Sequence, residues 1–522
     1  MTDIMKKHQK VLFGILLMAE IALMVYMTWQ YGAQWLDSDD SAELILAELF
    51  SREGGILSKN WYYSTELRVL NTQLVMAPLF CLFSDWRVVR TVGTGILLVI
   101  LLLSFFFLCR SLKLGKKLIF FAPLIVWPFS REYIQFVLYG LFYIPHLVII
   151  FLTLALCLNN SPRLNSLRNF ALVLISFIAG VGGIRLVVVC YLPLLAATLT
   201  SLFPSIRSNN LITKSFLFRS LFAAAAAVAG FLVNCKILVQ SYSFVTMVPG
   251  RLGLPNWEKL PPIIKSIPRM MGAITPNRSI IIVVLMLLLC LVIALMILRF
   301  FKHWKSLHQE TQVLLLYFLF SFSITVVAPV ISTQGWSTRY MLLPGIGFIV
   351  ILAAYTDHFK STGSIRKILC IFILAAELCS GINQYYCFAS MKQLPEKNPA
   401  FSYILNSGLR FGFGDWDTSD VLTELSNGRI HLCKIGSFKR MDAWYWLMEK
   451  DFQKYAKGEP VFLILANKRF SYHGGVPHVW GKWEKKDLTY LDSGKVVFRD
   501  QDYTVWKYES YEQFEALVGK KF

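Results

Sequence analysis

The chain has 522 residues, of which 56% are hydrophobic and 16% are charged, and its mean hydropathy is +0.53. Soluble globular proteins carry about 25% charged residues, so this composition excludes an ordinary soluble protein and predicts that most of the chain lies in a bilayer. The net charge of +20 does not indicate a nucleic-acid partner, because the basic residues cluster in short segments between apolar runs.

Apolar runs long enough to cross roughly 30 Å of hydrocarbon as helix recur along the first part of the chain. They cover 11–29, 88–109, 118–131, 137–158, 166–183, 184–203, 215–238, 277–300, 311–331, 337–357 and 367–386. The sequence therefore predicts an α-helical polytopic membrane protein with about eleven transmembrane helices in a module of residues 1–388. We expect the apolar stretch 69–83 to lie in the interface, because a further span there would invert every later loop.

Clusters of basic residues indicate one side of the membrane. Assigning all of them to the cytoplasm satisfies the positive-inside rule with a single transmembrane topology. They are Lys6, Lys7, Lys10, Arg110, Lys113, Lys116, Lys117, Arg163, Arg168, Arg207, Lys214, Arg219, Arg299, Lys302, Lys305, Lys360, Arg366 and Lys367. This predicts a multi-pass protein of the cell membrane with a cytoplasmic N-terminus. The first loop (30–68), the loop 240–276 and the C-terminal tail are then expected on the outer face.

The tail differs from the rest of the chain in its mixed charged and aromatic composition, which begins near residue 391. Residues 389–522 are enough for an extracytoplasmic α/β domain that folds independently. Within it, 461–466 is predicted as a buried strand, 496–508 as one alternating strand and 442–455 as an amphipathic helix. No glycine-rich nucleotide-binding fingerprint and no CxxC pair are present, so neither a nucleotide site nor a zinc site is predicted.

Four carboxylates gather in the first outer loop, at Asp37, Asp39, Asp40 and Glu43. A helix that begins near Ser38 would place Asp39 and Glu43 on one face, and its dipole would favour ionised acids at its N-terminus. The ordinary alternative is that Asp37 or Ser38 caps a surface helix with Asp40 in its first turn. Local sequence leaves both interpretations open.

The same loop ends in three aromatic residues, an acid and a base: Trp61, Tyr62, Tyr63, Glu66 and Arg68. Aromatic residues at this depth are typical of the membrane interface, and Glu66 with Arg68 fits an exposed ion pair of little energetic consequence. The same groups also suit a polar acceptor and an anionic phosphate at the lipid boundary. This segment alone does not distinguish the two.

An aspartate motif in the first outer loop, followed by Trp-Tyr-Tyr-x-x-Glu-x-Arg, resembles the GT-C superfamily of membrane glycosyltransferases. The pattern is most similar to the aminoarabinose and protein O-mannosyl transferases and to bacterial enzymes of surface polysaccharide biosynthesis. The resemblance implies that Asp39 is the catalytic aspartate, with Asp37 and Asp40 as rivals, and that Glu66 and Arg68 form the following acidic–basic element. The chain has Asp-Asp where the family usually has Asp-Glu, and it lacks the family's Lys-Pro-Pro, which leaves acceptor class and metal use open.

Two arginines later in the chain fit the same resemblance. The family has a basic residue after a small-residue break in a middle span, and a Gly-Gly-Ile-Arg segment here ends at Arg185, while Arg339 begins a later span on the same side. An arginine in a span is costly in lipid and usually meets an anion in a cavity. Snorkelling to the headgroups, or pairing with Glu132, is the alternative. His146 is expected to be structural.

Together these features predict an inverting glycosyltransferase that moves a sugar from a polyprenyl-phosphate donor to a hydroxyl of a cell-surface glycan or lipid. Asp39 is expected to act as general base, and Arg185, Arg339 and Arg68 to neutralise the departing phosphate. Glu66 would orient the acceptor. Asp39 and Glu66 could instead hold Mg²⁺ or Mn²⁺, as in some members of the superfamily, and the sequence does not decide between these roles.

Aromatic residues are the candidate contacts for the acceptor or its sugar. They are Trp61, Tyr62, Tyr63 and, in the tail, Trp416, and core packing explains the tail tryptophans equally well. Two other functions stay open: a transporter or flippase, since polar breaks in spans also build transport sites, and a polysaccharide polymerase or ligase. The architecture and residue usage favour a bacterial cell-wall or surface-polysaccharide enzyme with lipid and glycan partners and no nucleic acid.

Overall fold

A computed structural model describes residues 2–67, 69–112, 121–159, 165–200, 214–245, 251–272, 280–333, 335–359, 363–392, 398–450, 452–467, 469–473, 476–480, 488–520 and 522. Its α-helices are α1 (Thr2–Trp35), α2 (Ser38–Glu53), α3 (Gln73–Phe80), α4 (Trp86–Ser111), α5 (Pro123–Val126), α6 (Arg131–Tyr133), α7 (Ile144–Leu158), α8 (Asn165–Gly182), α9 (Ile184–Leu186), α10 (Leu192–Thr200), α11 (Lys214–Lys236), α12 (Leu260–Met270), α13 (Ile280–Lys302), α14 (Gln309–Val330), α15 (Leu342–Gly345), α16 (Gly347–His358), α17 (Gly363–Ala389), α18 (Pro399–Asn406), α19 (Trp416–Leu425), α20 (Phe452–Ala456) and α21 (Tyr511–Val518). The strands are β1 (Trp61–Tyr63), β2 (Ser243–Phe244), β3 (Phe411–Gly414), β4 (His431–Ser437), β5 (Asp442–Ala443), β6 (Met448–Glu449), β7 (Val461–Ala466), β8 (Arg469–His473), β9 (Val476–Trp480), β10 (Lys495–Arg499) and β11 (Tyr503–Tyr508).

Seven helices in the described part of the chain are long and apolar enough to cross a membrane. They are Gly14–Trp35, Trp86–Ser111, Asn165–Gly182, Phe216–Gln240, Ile280–Lys302, Gln309–Val330 and Thr338–His358. Two shorter apolar helices, Ile144–Leu158 and Ile184–Thr200, accompany them. These helices confirm the prediction of a helical, multi-pass membrane protein, while the number of eleven spans and the boundary at residue 389 stay predictions.

The predicted spans 118–131 and 137–158 are wrong as single helices. Residues 118–120 lie outside the described residues, and α5 ends because Trp127, which precedes Pro128, takes an extended backbone with ψ of 133°. The chain then forms α6, a π-helical turn at 134–138 and a left-handed Leu141 with φ of 65°, and α7 begins only at Ile144. Most of this irregular segment is buried in protein, the setting in which non-helical backbone is tolerated at membrane depth.

The stretch predicted to lie in the interface forms the short helix α3. Its eight residues extend about 12 Å, too short to cross the hydrocarbon. It packs against α2 and α4, and Gly93 of α4 makes room for Met76, whose Sδ would lie 2.1 Å from a Cβ at that position. The segment therefore runs along the membrane module on the side of the first loop.

The tail is built around a six-stranded mixed sheet in the order β10-β11-β7-β3-β4-β5. The central strands β3, β4 and β7 are parallel, and β11 runs antiparallel to β7. The buried strand predicted at 461–466 is confirmed as β7. The single strand predicted at 496–508 is instead the hairpin of β10 and β11. The helix predicted at 442–455 is wrong, because 442–443 and 448–449 pair as strands and only 452–456 is helical.

A second, three-stranded sheet joins three distant parts of the chain. Strand β1 of the first loop pairs in parallel with β2 of the loop after α11, and antiparallel with β6 of the tail. Backbone pairing at Tyr62 with Ser243 and with Met448 requires all three segments to lie on the same side of the membrane. We call this the tail side.

A buried ion pair fastens the tail to the membrane module. Arg90 of α4 and Glu424 of α19 are 2.5 Å apart, with side chains 7% and 6% exposed. Arg90 also donates to the carbonyl oxygen of Asp40 in α2 at 2.9 Å, so one guanidinium links α2, α4 and the tail. Asn427 adds a hydrogen bond from the Trp86 backbone at 2.9 Å.

Glu424→Ala is expected to destabilise the protein by about 3 to 5 kcal/mol, because it leaves the Arg90 charge buried without its partner. Thermal unfolding of the purified protein in detergent, together with limited proteolysis of the tail, measures the effect. Replacing both residues, as Arg90→Met with Glu424→Leu, should recover much of the loss, since no charge then stays buried. An unchanged melting temperature in Glu424→Ala would show that this pair does not hold the tail in place.

Candidate functional site

Helix α2 begins where the acidic stretch predicted a helix start. Asp37 is its N-cap, with an extended backbone at φ of −124°, and its Oδ1 accepts from the Asp40 amide at 2.9 Å. Capping satisfies one of the free N–H groups at the helix start. The capping interpretation is therefore confirmed for Asp37, and it fixes how Asp39 and Asp40 project from the first turn. Glu43 turns away from them and accepts from Gln73 at 2.6 Å.

Both carboxylate oxygens of Asp37 accept hydrogen bonds within the protein. Its second oxygen, Oδ2, accepts from Gln135 Nε2 at 2.7 Å. Burial, followed by the nearby charge of Asp39, raises the pKa of Asp37 to about 6. Asp37 is thus a structural cap that is costly to keep ionised.

We expect Asp37→Asn to change how stability depends on pH. The pKa of Asp37 is about 6 in the folded protein against an ordinary value of 3.8, so folding favours the protonated form. Its stabilising contribution is complete below about pH 4 and is lost as the pH rises through about 6. Asparagine keeps the cap and has no proton to lose. The variant should match the wild type near pH 4 and exceed it by up to about 3 kcal/mol near pH 8.

Thermal unfolding in nanodiscs at the two pH values measures this difference. Glu53→Gln, which removes an exposed acid at the other end of α2, is the matched control and should show no such pH dependence. A stability difference between wild type and Asp37→Asn that is the same at both pH values would contradict the burial of an ionisable Asp37.

Asp40 is fully buried, with 0% exposure. Its side chain lies against Gly140, where a Cβ would come within 2.3 Å of Asp40 Oδ1, and neither carboxylate oxygen has a hydrogen-bond partner among the described residues. Burial, and next the charge of Asp37, hold the pKa of Asp40 well above its ordinary value. A substrate hydroxyl cannot reach this carboxyl without a rearrangement of the 139–143 segment.

Asp39 is the acid of the three that contacts a predicted arginine. Its side chain is 28% exposed, and its Oδ2 accepts from Arg339 Nη1 at 3.0 Å. Arg339 is placed by the 3₁₀ turn Thr338–Met341 that leads into α15, and its guanidinium also lies 5.7 Å from the Phe136 ring. The structure therefore brings the predicted first-loop aspartate and one predicted arginine into direct contact.

Glu66 and Arg185 form the second pair, with Nε and Oε1 2.6 Å apart. Gly183 positions Arg185: its φ is +141°, and a Cβ there would lie 3.3 Å from Glu66 Cγ. The Leu67 amide donates to the carbonyl of Gly182 at 2.9 Å, which fixes the end of the first loop to this helix break. Arg185 thus pairs with Glu66 and not with Glu132, which pairs with Arg269.

Tyr143 contacts the Arg185 pair and lies near the Arg339 pair. Arg185 Nη1 donates to the Tyr143 hydroxyl at 3.0 Å, and the side chain of Tyr143 is within electrostatic reach of Arg339 and Glu66 as well. His146, one turn further along α7, has its Nε2 3.6 Å from Glu66 Oε2. Four residues singled out in the sequence therefore occupy one site, at the tail-side end of the membrane helices.

A small cleft of about 30 Å³ opens beside the second pair. Its polar lining is Glu66, Asn71, His146 and Arg185, and its apolar lining includes Leu67, Leu70, Ile149, Ile178, Ala179 and Leu186. Neither a family model nor a curated protein matches this chain. The functional interpretation of the chain therefore depends on the geometry of this cleft. The charged side of the cleft can bind an anionic group, and its apolar lining can accept hydrocarbon.

The aromatic residues of the first loop are buried or partly buried. Trp61 and Tyr63 are 0% exposed, and the Tyr63 hydroxyl accepts from the Ser58 amide at 3.0 Å. Tyr62 is partly buried and packs on Tyr445 of the tail with ring centroids 5.1 Å apart. Trp61 and Tyr62 hold the loop to the tail, and Tyr63 holds it to the segment after α11. Arg68 lies outside the described residues.

Trp416 lies at the start of α19, directly over the acidic stretch. Its carbonyl oxygen accepts from the Ser38 hydroxyl, and its ring packs against Trp446 and Trp444 at centroid distances of 4.6 and 5.4 Å. All three rings are partly exposed. A partly exposed aromatic surface of this kind can stack on a sugar ring, and Trp416 lies next to Ser38 at the start of α2.

Sequence reasoning missed a buried pair beneath these tryptophans. Lys434 Nζ is 2.5 Å from Asp420 Oδ2 and 4.1 Å from the centroid of the Trp416 ring. Burial raises the pKa of Asp420 to about 7 and lowers that of Lys434, and both groups are within electrostatic reach of Asp39. The signal was available: Lys434 is a charged residue at a buried position of strand β4.

The predicted Mg²⁺ or Mn²⁺ site gains no support from the geometry. In the part of the chain that the structure describes, no group of three or more His, Cys, Asp or Glu residues could hold a metal ion. Asp39 and Glu66 each face an arginine instead. A metal at these two acids stays a prediction from the resemblance alone.

Proposed function

We propose that this chain is an inverting glycosyltransferase that moves a sugar from a polyprenyl-phosphate donor to an acceptor hydroxyl on the tail side of the membrane. The observation that carries the proposal is the convergence of two carboxylate–arginine pairs, Asp39–Arg339 and Glu66–Arg185, beside Tyr143. A charged site with apolar walls suits a substrate whose reacting end is a phosphosugar and whose other end is hydrocarbon.

The two ion pairs explain how charged arginines are stable near the membrane helices before the donor binds. Each guanidinium is neutralised by a carboxylate, which removes the cost of an unpaired charge. A donor phosphate offers the arginines a second anion. When Arg339 moves to the phosphate, Asp39 loses its partner and its carboxylate is free to accept a proton. Donor binding thus releases the base.

The reaction is one displacement. The acceptor hydroxyl attacks the anomeric carbon, its proton passes to Asp39, and the bond between that carbon and the phosphate oxygen breaks. Polyprenyl phosphate leaves with the bonding electrons, and Arg185 and Arg339 stabilise the charge that develops on it. Attack from the face opposite the leaving group inverts the anomeric configuration. Glu66, held by Arg185, orients the acceptor or the sugar.

The tail supplies the acceptor side of the site. Trp416, Trp444 and Trp446 form its exposed aromatic surface, and the Lys434–Asp420 pair supports it from within. A glycan or lipid-linked acceptor would enter between this surface and Asp39. The basic segments between the spans fit the cytoplasm by the positive-inside rule. We therefore propose that the tail lies outside a bacterial cell membrane and the N-terminus in the cytoplasm, and that the enzyme acts in cell-wall or surface-polysaccharide biosynthesis.

Transfer from a radiolabelled donor tests the proposal. Purified protein in proteoliposomes is supplied with a panel of polyprenyl-phosphate hexoses and a bacterial surface-glycan extract as acceptor. We expect label to move from the lipid to the acceptor with inverted configuration. No transfer from any donor, together with flux of labelled lipid between the leaflets, would contradict the enzyme and favour the transporter.

A further inference from the structure

Three large apolar side chains project from the loop of residues 251–259, which precedes α12. Leu252 is 84% exposed, Leu254 is 94% exposed and Trp257 is 68% exposed. Scattered single apolar residues are common on protein surfaces, but a cluster of this kind marks a binding surface. The position of the loop relative to the membrane determines whether these three side chains face lipid, protein or water.

Hydrogen bonds hold the loop to the C-terminal end of α14 and to the segment that follows it. The Gly253 amide donates to the Ile331 carbonyl at 2.9 Å, and the Asn256 amide donates to the Val330 carbonyl at 2.8 Å. The Lys259 ammonium group donates to two further carbonyl oxygens of the same segment, at 2.9 and 2.7 Å. The backbone therefore presents the leucines in a fixed place.

This place is the edge of the membrane next to the candidate site. Val330 is the last residue of α14, a membrane-spanning helix, so the loop lies at the level where hydrocarbon meets the headgroups. Helix α12, which follows the loop, contacts the segment before Arg339 through Ser266, whose hydroxyl is 3.2 Å from the Thr338 hydroxyl and accepts from Trp336 Nε1 at 2.9 Å. Helix α12 thus connects the loop to the segment that positions Arg339.

We propose that the loop 251–259 inserts Leu252, Leu254 and Trp257 into the lipid leaflet on the tail side and holds the entrance to Arg339 against the bilayer. Ile280 and Ile281, at the start of α13, are exposed apolar residues as well. Arg251 provides a cation at headgroup level, and tryptophan is favoured at this depth. Insertion of the loop into lipid does not depend on the proposed reaction. The role of the loop as the entrance for a polyprenyl chain rests on the proposed function.

Fluorescence quenching in nanodiscs tests the insertion. The contribution of Trp257 is the difference between wild type and Trp257→Phe. We expect phosphatidylcholine brominated on its acyl chains to quench this contribution, and aqueous acrylamide to leave it largely unquenched. The control is the contribution of Trp444, a partly exposed tryptophan of the tail. This contribution, the difference between wild type and Trp444→Phe, should not be quenched by the brominated lipid. Quenching by acrylamide alone, or by neither agent because protein covers the loop, would overturn the proposal.

Leu252→Ser with Leu254→Ser tests the entrance. Both side chains are exposed, so the change leaves the core intact. We expect the brominated lipid to quench Trp257 less in this variant, and its affinity for polyprenyl phosphate in nanodiscs to fall about tenfold or more. Its affinity for a short, water-soluble prenyl phosphate should not change. Unchanged quenching overturns the insertion, and unchanged polyprenyl affinity overturns the entrance. Neither result depends on whether sugar transfer is found.

Discussion

Asp39→Asn should abolish sugar transfer while the protein stays folded and still binds its lipid donor. Asparagine has nearly the same size and can still accept a hydrogen bond from Arg339, but it cannot take the proton of the acceptor hydroxyl. The expected loss in kcat is between about 10²-fold and 10⁴-fold, the usual contribution of a general base. Initial rates of transfer, with polyprenyl phosphate binding measured on the same preparation, separate the loss of chemistry from a loss of affinity.

The other acids provide the comparison for Asp39. Glu53→Gln, an exposed acid of the same helix, should keep wild-type turnover. Asp40→Asn tests the fully buried rival directly. Turnover that survives in Asp39→Asn but is lost in Asp37→Asn would contradict the assignment of Asp39 as the base. Both carboxylate oxygens of Asp37 accept hydrogen bonds within the protein, so we expect Asp37 to act as a cap.

Arg185→Met and Arg339→Met should each lower kcat/KM by about 10²-fold to 10³-fold. Each variant removes a guanidinium that would stabilise the departing phosphate and leaves its carboxylate without a cation. Arg185→Lys should recover part of the loss, since it keeps the charge but not the forked geometry that matches a phosphate. Transfer rates over a range of donor concentrations, with melting temperatures, measure the effect.

Arg269 offers a matched control for these arginines. It is also an arginine of the tail side, 28% exposed and paired with a carboxylate, Glu132, yet it is not in contact with Tyr143. Arg269→Lys should keep wild-type kcat/KM, whereas Arg185→Lys should not. Equal losses in the two lysine variants would mean that the arginines act by holding the fold and not by binding phosphate.

Local signals explain what could be predicted from the sequence. The start of α2 was recognisable because a cap needs only Asp37 and the amide of Asp40, three residues away. The break before Arg185 was recognisable because two consecutive glycines interrupt an apolar run, and Gly183 does take a positive φ. Long apolar runs in the same way predicted α4, α13 and α14.

Long-range contacts explain what could not be predicted. Arg90 and Glu424 are 334 positions apart, and nothing in either segment indicates the other, so the docking of the tail on α2 was not foreseen. The broken segment between α5 and α7 was read as helix because its composition is apolar. Its breaks at Trp127 and Leu141 depend on Pro128 and on packing against α2.

A photoreactive polyprenyl phosphate, with its reactive group next to the phosphate, provides the most direct test of the central claim. After illumination in nanodiscs, mass spectrometry locates the labelled peptides. One phosphate bound beside Tyr143 should label the segments that carry Glu66, Arg185 and Arg339, and unlabelled polyprenyl phosphate should compete with the labelling. Labelling confined to the membrane face opposite the tail, or to the lipid-facing surface of α13, would contradict a shared site for the two pairs.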